Sequence, residues 1–324
     1  MQLTCTEIRR DTQDINTYWF EADQSLDFIP GQFLPIQVEI DGAIEQRCYS
    51  LASQPGQTRC SLTIKRVNNG LVSNHLADSL SVGDTLQAMP AAGEFNAELY
   101  QDQALILLSA GCGITPVYSM LVSRLAENPD ADIVFVHSAS TAEDRVYVEE
   151  LEALASQYQN LQLVWCVSNQ SGDEFHARLS EQVLAELDSN LASRVALMCG
   201  PDGYMQSAQQ WLESLGLAKQ HIHHEQFQVA IPETGSNSGS HTLTINGQEV
   251  TIDGEQTVLD ALESEGLPIF AACRAGVCGS CRCKGDKSKL VSSTTGPLSD
   301  EDVEQGYFLA CASQVNDDMF VEIG

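Results

Sequence analysis

Short apolar–polar alternation dominates the first 97 residues of the chain. Three runs have the period of two that half-buried strands require, at 15–20, 33–40 and 61–67. The dipeptides that separate such runs are typical of tight turns: Pro30-Gly31, Asp41-Gly42 and Asn69-Gly70. Short strands joined by turns predict a small antiparallel β-barrel over residues 1–97.

From residue 98 to residue 229 the pattern changes to continuous apolar runs that alternate with helical periodicity. The apolar runs predict buried strands at 103–109, 132–138, 161–167 and 194–198. Helical patterns lie at 117–125, 147–158 and 179–188. Strands that alternate with helices predict a doubly wound parallel α/β sheet for residues 98–229.

Residues 230–240 are rich in Gly and Ser and predict a flexible linker to a third domain, residues 241–324. This domain opens with alternation around Asn246-Gly247, which predicts a hairpin. Thr257 then precedes an amphipathic helix with Val258, Leu259 and Leu262 on its apolar stripe. A hairpin followed by a helix predicts a small sheet folded over that helix.

Four cysteines of this domain follow the spacing C-x4-C-x2-C, with a fourth ligand after a long gap: Cys273, Cys278, Cys281 and Cys311. This spacing is that of a plant-type [2Fe–2S] cluster. The small residues between the first three cysteines let backbone N–H groups approach sulfur. A structural zinc site is the alternative, but such sites usually contain two short cysteine pairs. Cys283 fits no ligand position and is interpreted as a strand residue.

Two stretches of the predicted barrel carry residue types suited to a flavin. The first stretch is Arg47-Cys48-Tyr49-Ser50. Its arginine can bind a phosphate, its tyrosine ring can lie on the face of a flavin, and its serine hydroxyl can bind a polar edge of the isoalloxazine. Gly70 precedes Val72 and Ser73, which begin a helix whose N–H groups can bind a pyrophosphate. An ordinary hairpin glycine is the alternative interpretation of Gly70.

The first strand of the α/β domain enters a glycine-rich turn, Gly111-Cys112-Gly113-Ile114-Thr115-Pro116. A strand, a glycine-rich turn and a helix N-terminus form a phosphate site in parallel α/β sheets, although G-x-G-x-x-G is absent. The last predicted strand ends in Cys199-Gly200-Pro201, at the sheet edge where ligands bind. His221, His223 and His224 lack a further liganding motif and are not interpreted as a metal site.

Charge and cysteine content limit the partners and the compartment. A formal charge of −29 over 324 residues repels nucleic acid and anionic membranes. The cysteines outside the cluster motif lack framework spacing, which indicates reduced thiols and a cytoplasmic location. No apolar run is long enough to span a membrane, and no secretory signal is expected.

A local basic collar contrasts with this acidity. It follows the cluster motif and comprises Arg274, Arg282, Lys284, Lys287 and Lys289. The collar either docks an acidic surface of an electron acceptor or compensates the anionic cluster, and the sequence leaves both open.

Together these motifs resemble the ferredoxin–NADP reductase superfamily with a plant-type ferredoxin domain fused at the C-terminus. The resemblance covers nearly the whole chain and is carried most clearly by residues 271–281, 291–295 and 298–311. It implies an FAD-binding barrel, an NAD(P)H-binding α/β domain and a β-grasp [2Fe–2S] ferredoxin domain.

The resemblance also implies roles for individual residues. The flavin and its pyrophosphate would be held by Arg47, Tyr49, Ser50, Gly70, Val72 and Ser73. The nicotinamide nucleotide would lie on Gly111, Gly113, Thr115, Pro116, Gly200 and Pro201. Ser50 near flavin N5 and Cys199 beside the nicotinamide would be the catalytic residues. Glu225 and Phe227 match an acidic-x-aromatic sequence that borders the flavin.

The resemblance favours FAD over FMN and the local sequence favours NADH over NADPH. The loop after the second α/β strand contains Glu143 and Asp144, which would repel a 2′-phosphate, although Arg145 beside them would attract it. The implied electron path runs from NADH through FAD and the [2Fe–2S] cluster to a protein acceptor.

Among such fusions, the chain is most similar to the oxidoreductases that serve hybrid-cluster proteins, which reduce hydroxylamine or nitric oxide. Reductases of Rieske-type oxygenases and demethylases share much of the pattern and are the alternative. A slow redox sensor subunit is a second alternative.

Overall fold

The computed structural model describes residues 1–100, 102–169, 177–227, 239–253, 256–294 and 297–324. These residues form two compact units, one of residues 1–45 and 49–226 and one of residues 227–324 with 46–48. The first unit therefore contains both the predicted barrel and the predicted α/β domain. Most of the predicted linker, residues 230–238, lies outside the described residues.

The N-terminal part of the first unit, called the barrel half, contains six antiparallel strands and one helix. In chain order they are β1 (Gln2–Arg10), β2 (Ile15–Ala22), β3 (Phe33–Ile40), β4 (Ala43–Ser50), β5 (Arg59–Lys65), α1 (Leu71–Ser79) and β6 (Thr85–Ala88). The strand order is β4-β3-β6-β1-β2-β5. The predicted antiparallel fold is confirmed, with β1, β4 and β6 added to the three predicted strands.

The two edges of this sheet meet just beyond β4. Leu51 pairs with Leu62 of β5, and the Ala52 N–H donates to the Ser61 carbonyl at 3.0 Å. Tyr18, Phe20 and Leu62 fill the enclosed core. Closure removes the open strand edges and directs alternate side chains inward.

The rest of the first unit, called the nucleotide half, is a parallel sheet covered by helices. Its elements are β7 (Leu105–Ala110), α2 (Ile114–Glu127), β8 (Ile133–Ala139), α3 (Val148–Gln157), β9 (Leu161–Val167), α4 (Glu181–Leu187), β10 (Val195–Cys199), α5 (Asp202–Ser214) and β11 (Ile222–Glu225). The order β11-β10-β7-β8-β9 is doubly wound around β7, as predicted. The sequence pattern did not predict helix α5, because the helix buries only three residues and so has a weak apolar stripe. These residues are Met205, Ala208 and Leu212.

The second unit is a mixed sheet packed against a helix. Its elements are β12 (Ser240–Ile245), β13 (Gln248–Asp253), α6 (Val258–Ser264), β14 (Arg282–Gly285), β15 (Leu290–Ser292), α7 (Asp300–Glu304), β16 (Tyr307–Leu309), β17 (Ser313–Val315) and β18 (Met319–Ile323). The main sheet has the order β13-β12-β18-β14-β16, and β15 pairs with β17.

The predicted features of this unit are present. Asn246 and Gly247 have φ angles of +52° and +83° and make the hairpin turn between β12 and β13. Thr257 caps α6, and the predicted stripe of that helix is buried in the core. None of the helices in the described ranges is both long and apolar enough to cross a membrane.

Candidate functional site

The four predicted cluster ligands converge in the second unit. The Sγ atoms of Cys281 and Cys311 lie 3.2 Å apart, although 30 residues separate them. The cluster loop precedes β14, and Cys311 lies in a short turn after β16, which pairs with β14. Strand pairing therefore brings the distant fourth cysteine to the loop.

Backbone N–H groups of the loop point at these sulfur atoms. The Ala275 and Val277 N–H groups lie 3.3 and 3.4 Å from Cys273 Sγ, and the Gly276 N–H lies 3.2 Å from Cys311 Sγ. Such donors stabilise anionic sulfur, so the residues fit a [2Fe–2S] cluster. The loop reaches this shape because Arg274 and Gly276 adopt φ of +53° and +72°. Cys283 is instead buried in the core of the unit, on β14.

The basic collar is largely neutralised by acidic side chains of the same unit. Arg274 Nη2 lies 2.6 Å from Glu263 Oε1, and Lys289 Nζ lies 3.3 Å from Asp317 Oδ2. Arg282 pairs with Asp302 at 2.8 Å, and its guanidinium lies 3.7 Å from the centre of the Tyr307 ring. These pairs weaken the charge argument for an acidic acceptor surface.

The predicted flavin residues lie on β4, where Arg47 is grouped with the second unit, and at the start of α1. Arg47 and Tyr49 are alternate residues of β4 and so share one strand face, whereas Ser50 is buried. Tyr49 is half-buried against the barrel core. Arg47 also donates to the Gln46 carbonyl at 2.6 Å.

Helix α1 begins without a side-chain cap. Gly70 occupies the cap position, no acidic residue lies in the first turn, and Val72 and Ser73 are buried. A Cβ atom on Gly70 would lie 2.4 Å from both Ser73 Oγ and Val67 Cγ2, so a larger residue would require these two side chains to move. The uncapped N–H groups of the first turn fit a pyrophosphate.

The predicted nucleotide turn packs directly against the end of β10. Gly111–Gly113 form a 3₁₀ turn between β7 and α2, and α2 also lacks a side-chain cap. A Cβ atom on Gly113 would lie 2.3 Å from the Cys199 carbonyl oxygen. Backbone therefore meets backbone where a dinucleotide phosphate is predicted to approach the chain.

The neighbouring predicted residues shape this turn. Thr115 is buried, and its hydroxyl donates to the Cys112 carbonyl at 3.1 Å. Pro116 is buried in the first turn of α2, where proline needs no N–H partner. Gly200 packs against Ala110, and Pro201 precedes α5, a third helix without a side-chain cap.

Ser50, Cys199 and Glu225 come together although they lie far apart in the sequence. Cys199 is the register partner of Glu225, and Ser50 Oγ lies 3.4 Å from Glu225 Oε2. Burial raises the pKa of Glu225 to about 8, although the hydrogen bond from Ser50 opposes this effect. Burial also raises the pKa of the Cys199 thiol. All three side chains are therefore uncharged at neutral pH.

The side chain of Arg145, in the loop after β8, contacts other residues of the nucleotide half. Arg145 Nε donates to the Ala142 carbonyl at 3.1 Å, and its guanidinium lies 4.8 Å from the centre of the Trp165 ring. Thr141 and Asp144 form a reciprocal capping pair beside it. Trp165 was not identified from the sequence, because only the parallel pairing of β8 and β9 brings it to Arg145.

His137 is a further residue that sequence reasoning missed. It is fully buried at the end of β8, where Nδ1 lies 2.8 Å from Ser109 Oγ. Burial lowers the pKa of His137 to about 3, and the charge of Arg145 adds to this effect. The imidazole is therefore neutral, and it borders the sheet edge that carries Cys199.

Two other expectations from the sequence stay predictions. Phe227 belongs to the second unit and is 40% exposed, and its place beside the flavin stays a prediction. The absence of a metal at His221, His223 and His224 also stays a prediction.

Three family models match the chain in consecutive segments. Residues 2–97 match the oxidoreductase FAD-binding domain, residues 107–210 the oxidoreductase NAD-binding domain, and residues 243–316 the 2Fe-2S iron-sulfur cluster binding domain. The matches follow the barrel half, the nucleotide half and the second unit.

Known proteins with this arrangement are similar over nearly their whole length. A glycine betaine monooxygenase reductase subunit of Pseudomonas aeruginosa is 32% identical over 343 aligned positions, which cover 98% of this chain and 94% of that protein. NADH oxidoreductase HCR of Escherichia coli is 30% identical over 314 positions, with 96% and 94% covered.

The solved structure of phthalate dioxygenase reductase, described as modular for electron transfer from pyridine nucleotides to [2Fe–2S], shares the fold. Its TM-score is 0.72 at 20% identity, with 100% of this chain and 98% of that chain covered. The chain therefore belongs to the family of oxidoreductases that unite an FAD-binding domain, an NAD-binding domain and a [2Fe–2S] domain in one polypeptide.

Proposed function

We propose that this protein is an NADH-preferring reductase that delivers single electrons to a hybrid-cluster protein, an enzyme that reduces hydroxylamine or nitric oxide. The observation that carries the reductase assignment is the meeting of Ser50, Cys199 and Glu225 at the carboxyl end of the parallel sheet. These side chains come from the barrel half and the nucleotide half, so a flavin and a nicotinamide bound there would face each other.

FAD held by Tyr49, Ser50 and the first turn of α1 would supply the conversion of the two electrons of NADH into single electrons that a [2Fe–2S] centre can accept. The chain itself supplies positioning and an uncharged environment. Ser50 Oγ orients the Glu225 carboxyl group, which keeps its proton at neutral pH. A buried carboxylate would instead repel negative charge gained by a neighbouring flavin.

The preference for NADH rests on the loop that follows β8. Arg145 is engaged with Ala142, Trp165 and, at 3.9 Å, Glu152, and its side chain is only 16% exposed. Glu143 adds negative charge beside it. A 2′-phosphate would meet acidic side chains before it could draw Arg145 out of these contacts.

The proposal of a hybrid-cluster acceptor is supported by the similarity to NADH oxidoreductase HCR, which is 30% identical with 96% of this chain covered, close to the 32% of the betaine reductase subunit. An oxygenase acceptor is the second candidate, because the betaine and stachydrine relatives are named as reductase subunits of a monooxygenase and an N-demethylase.

Anaerobic titration of the purified holoprotein with NADH tests the internal electron path. We expect near-stoichiometric NADH to bleach both the flavin and the iron–sulfur absorbance, and NADPH to act much more weakly. Bleaching of the flavin alone would contradict transfer to the cluster of the same chain. An equal response to NADPH would contradict the interpretation of the Arg145 loop.

Acceptor turnover separates the candidate partners. With NADH, we expect the protein to sustain hydroxylamine reduction by a hybrid-cluster protein at a rate on the order of 10 per second, a typical enzyme rate. A Rieske-type oxygenase with its methylated amine substrate should give far slower turnover. The reverse order would assign the protein to an oxygenase system, and slow transfer even to ferricyanide would indicate a sensor.

Gly113→Ala tests the close approach of the nucleotide turn to β10. The new Cβ atom would overlap the Cys199 carbonyl, so we expect the KM for NADH to rise at least about tenfold, equivalent to about 1.4 kcal/mol. Gly203→Ala is the matched control in α5, because a Cβ there meets no atom within 4 Å. Steady-state NADH oxidation with ferricyanide measures the KM of both variants. Equal KM values for Gly113→Ala and Gly203→Ala would refute the packing argument.

The pH dependence of stability tests the protonation of Glu225. Because the pKa of Glu225 is raised in the folded state, its protonated side chain contributes to the free energy of unfolding. This contribution is fully present below pH 4.5 and is lost as the pH rises towards 8. We expect the free energy of unfolding of the wild type, minus that of Glu225→Gln, to fall by about 1.4 kcal/mol per pH unit in this range.

Urea unfolding of the holoproteins at pH 5 to 9 gives this difference. Ser50→Ala removes the hydrogen bond that lowers the pKa of Glu225. In this variant, the contribution of Glu225 to the free energy of unfolding should therefore keep falling up to a higher pH. A difference that stays constant with pH would mean that Glu225 is ionised in the folded protein.

A further inference from the structure

A row of polar side chains crosses the outer surface of the barrel half. Arg9 of β1 is the register partner of Thr17 of β2, which is the partner of Thr63 of β5. Neighbouring residues such as Tyr18 and Leu62 point into the barrel core, so this row points outward. Thr17 and Thr63 are nevertheless 0% and 2% exposed, because the nucleotide half covers them.

Hydrogen bonds link this row to the nucleotide half in one continuous chain. The Tyr147 hydroxyl bonds to Thr63 Oγ1, Thr63 Oγ1 lies 2.6 Å from Thr17 Oγ1, and Thr17 donates to Asp11 Oδ2 at 2.6 Å. A carboxylate only accepts, so each hydroxyl donates toward Asp11. We call Tyr147, Thr63, Thr17 and Asp11 the hydroxyl chain.

Arg9 contacts both ends of the hydroxyl chain and so closes it into a ring. Its guanidinium lies 2.7 Å from Asp11 Oδ1, pairs with Glu150 of α3, and lies 5.8 Å from the centre of the Tyr147 ring. The Asp11 side chain is only 4% exposed, so its charge is compensated by Arg9 and Thr17 rather than by water. The ring joins three strands of the barrel half, β1, β2 and β5, to the start of α3.

The same contact reaches the nucleotide turn. Cys112, the middle residue of that turn, donates its Sγ–H to the Thr63 carbonyl at 3.2 Å. Tyr118 of α2 lies against Tyr147, with ring centres 4.5 Å apart. Thr63 is therefore bonded through its side chain to the hydroxyl chain and through its backbone to the turn expected beneath the nicotinamide nucleotide.

Tyr147 holds an unusual backbone conformation at this place. Its φ of +58° is left-handed, which is uncommon for a bulky residue, and it immediately precedes α3. Its side chain is buried, and burial raises the pKa of its hydroxyl, which keeps the donated proton. The surrounding contacts hold the ring at one orientation.

From this geometry we propose that Tyr147 and Asp11 are positioning residues for flavin reduction. The hydroxyl chain fixes the nucleotide turn relative to the barrel half, and so sets the separation of the nicotinamide from the flavin. The inference rests on the proposed function, because it assumes that NADH reduces a flavin in this unit. Neither residue touches the reacting atoms.

Stopped-flow reduction of the full-length holoprotein by NADH tests the proposal. In Tyr147→Phe and Asp11→Asn, we expect the limiting rate at saturating NADH to fall about tenfold, because a displacement of about 1 Å can cost up to about 100-fold. The NADH concentration that gives half this rate should change little, since the nucleotide contacts remain.

Conservative and double variants separate positioning from general destabilisation. Thr63→Ser keeps the linking hydroxyl and should retain the wild-type rate, whereas Thr63→Val should behave like Tyr147→Phe. The double variant Tyr147→Phe/Asp11→Asn should be no slower than the slower single variant, because both break one chain. Tyr158→Phe is the matched control, a half-buried tyrosine at the end of α3 outside the chain.

The outcomes are decisive in either direction. Melting temperatures that fall while the limiting rates stay at the wild-type value would show a purely structural contact and overturn the proposal, as would fully additive rate losses. Failure of NADH to reduce the wild-type flavin would instead overturn the proposed function.

Discussion

Parallel pairing of β10 with β7 on one side and β11 on the other is the constraint on which the first unit depends. It aligns the last residues of neighbouring strands, so that His137, Ser109, Cys199 and Glu225 form one row across the sheet edge. The same pairing brings the glycine turn after β7 against the Cys199 carbonyl. A side chain at Gly113 would separate these backbones and move the turn away from the row.

The electrostatics of this edge differ from those of the helices that surround it. His137 and Glu225 are both neutral near pH 7, because burial shifts their pKa values in opposite directions. Helices α1, α2, α3 and α5 begin without side-chain caps, and the first turn of α3 contains Glu149 and Glu150; α4, α6 and α7 are capped by Ser180, Thr257 and Ser299. Uncapped N–H groups favour phosphate, whereas the neutral row favours an uncharged ligand.

The second unit handles charge by local compensation. Backbone N–H groups face the sulfur atoms of the loop, and three collar cations pair with acids of the same unit. Because these three cations are already paired, they do little to offset the negative charge of the rest of the chain near the cluster.

The sequence by itself determined the chemistry and the order of the domains. Cysteine spacing predicted the cluster ligands, apolar runs located β7 to β10, and the glycine turns were visible as such, because these signals are local and periodic. Only the tertiary structure decided which distant residues meet. Arg145 faces Trp165, Ser50 meets Glu225, and Tyr147 reaches Asp11 through two threonines, because strand pairing and the contact of the two halves create neighbours that no local pattern encodes. Burial, which shifts the pKa of Glu225 and of His137, likewise exists only in the folded chain.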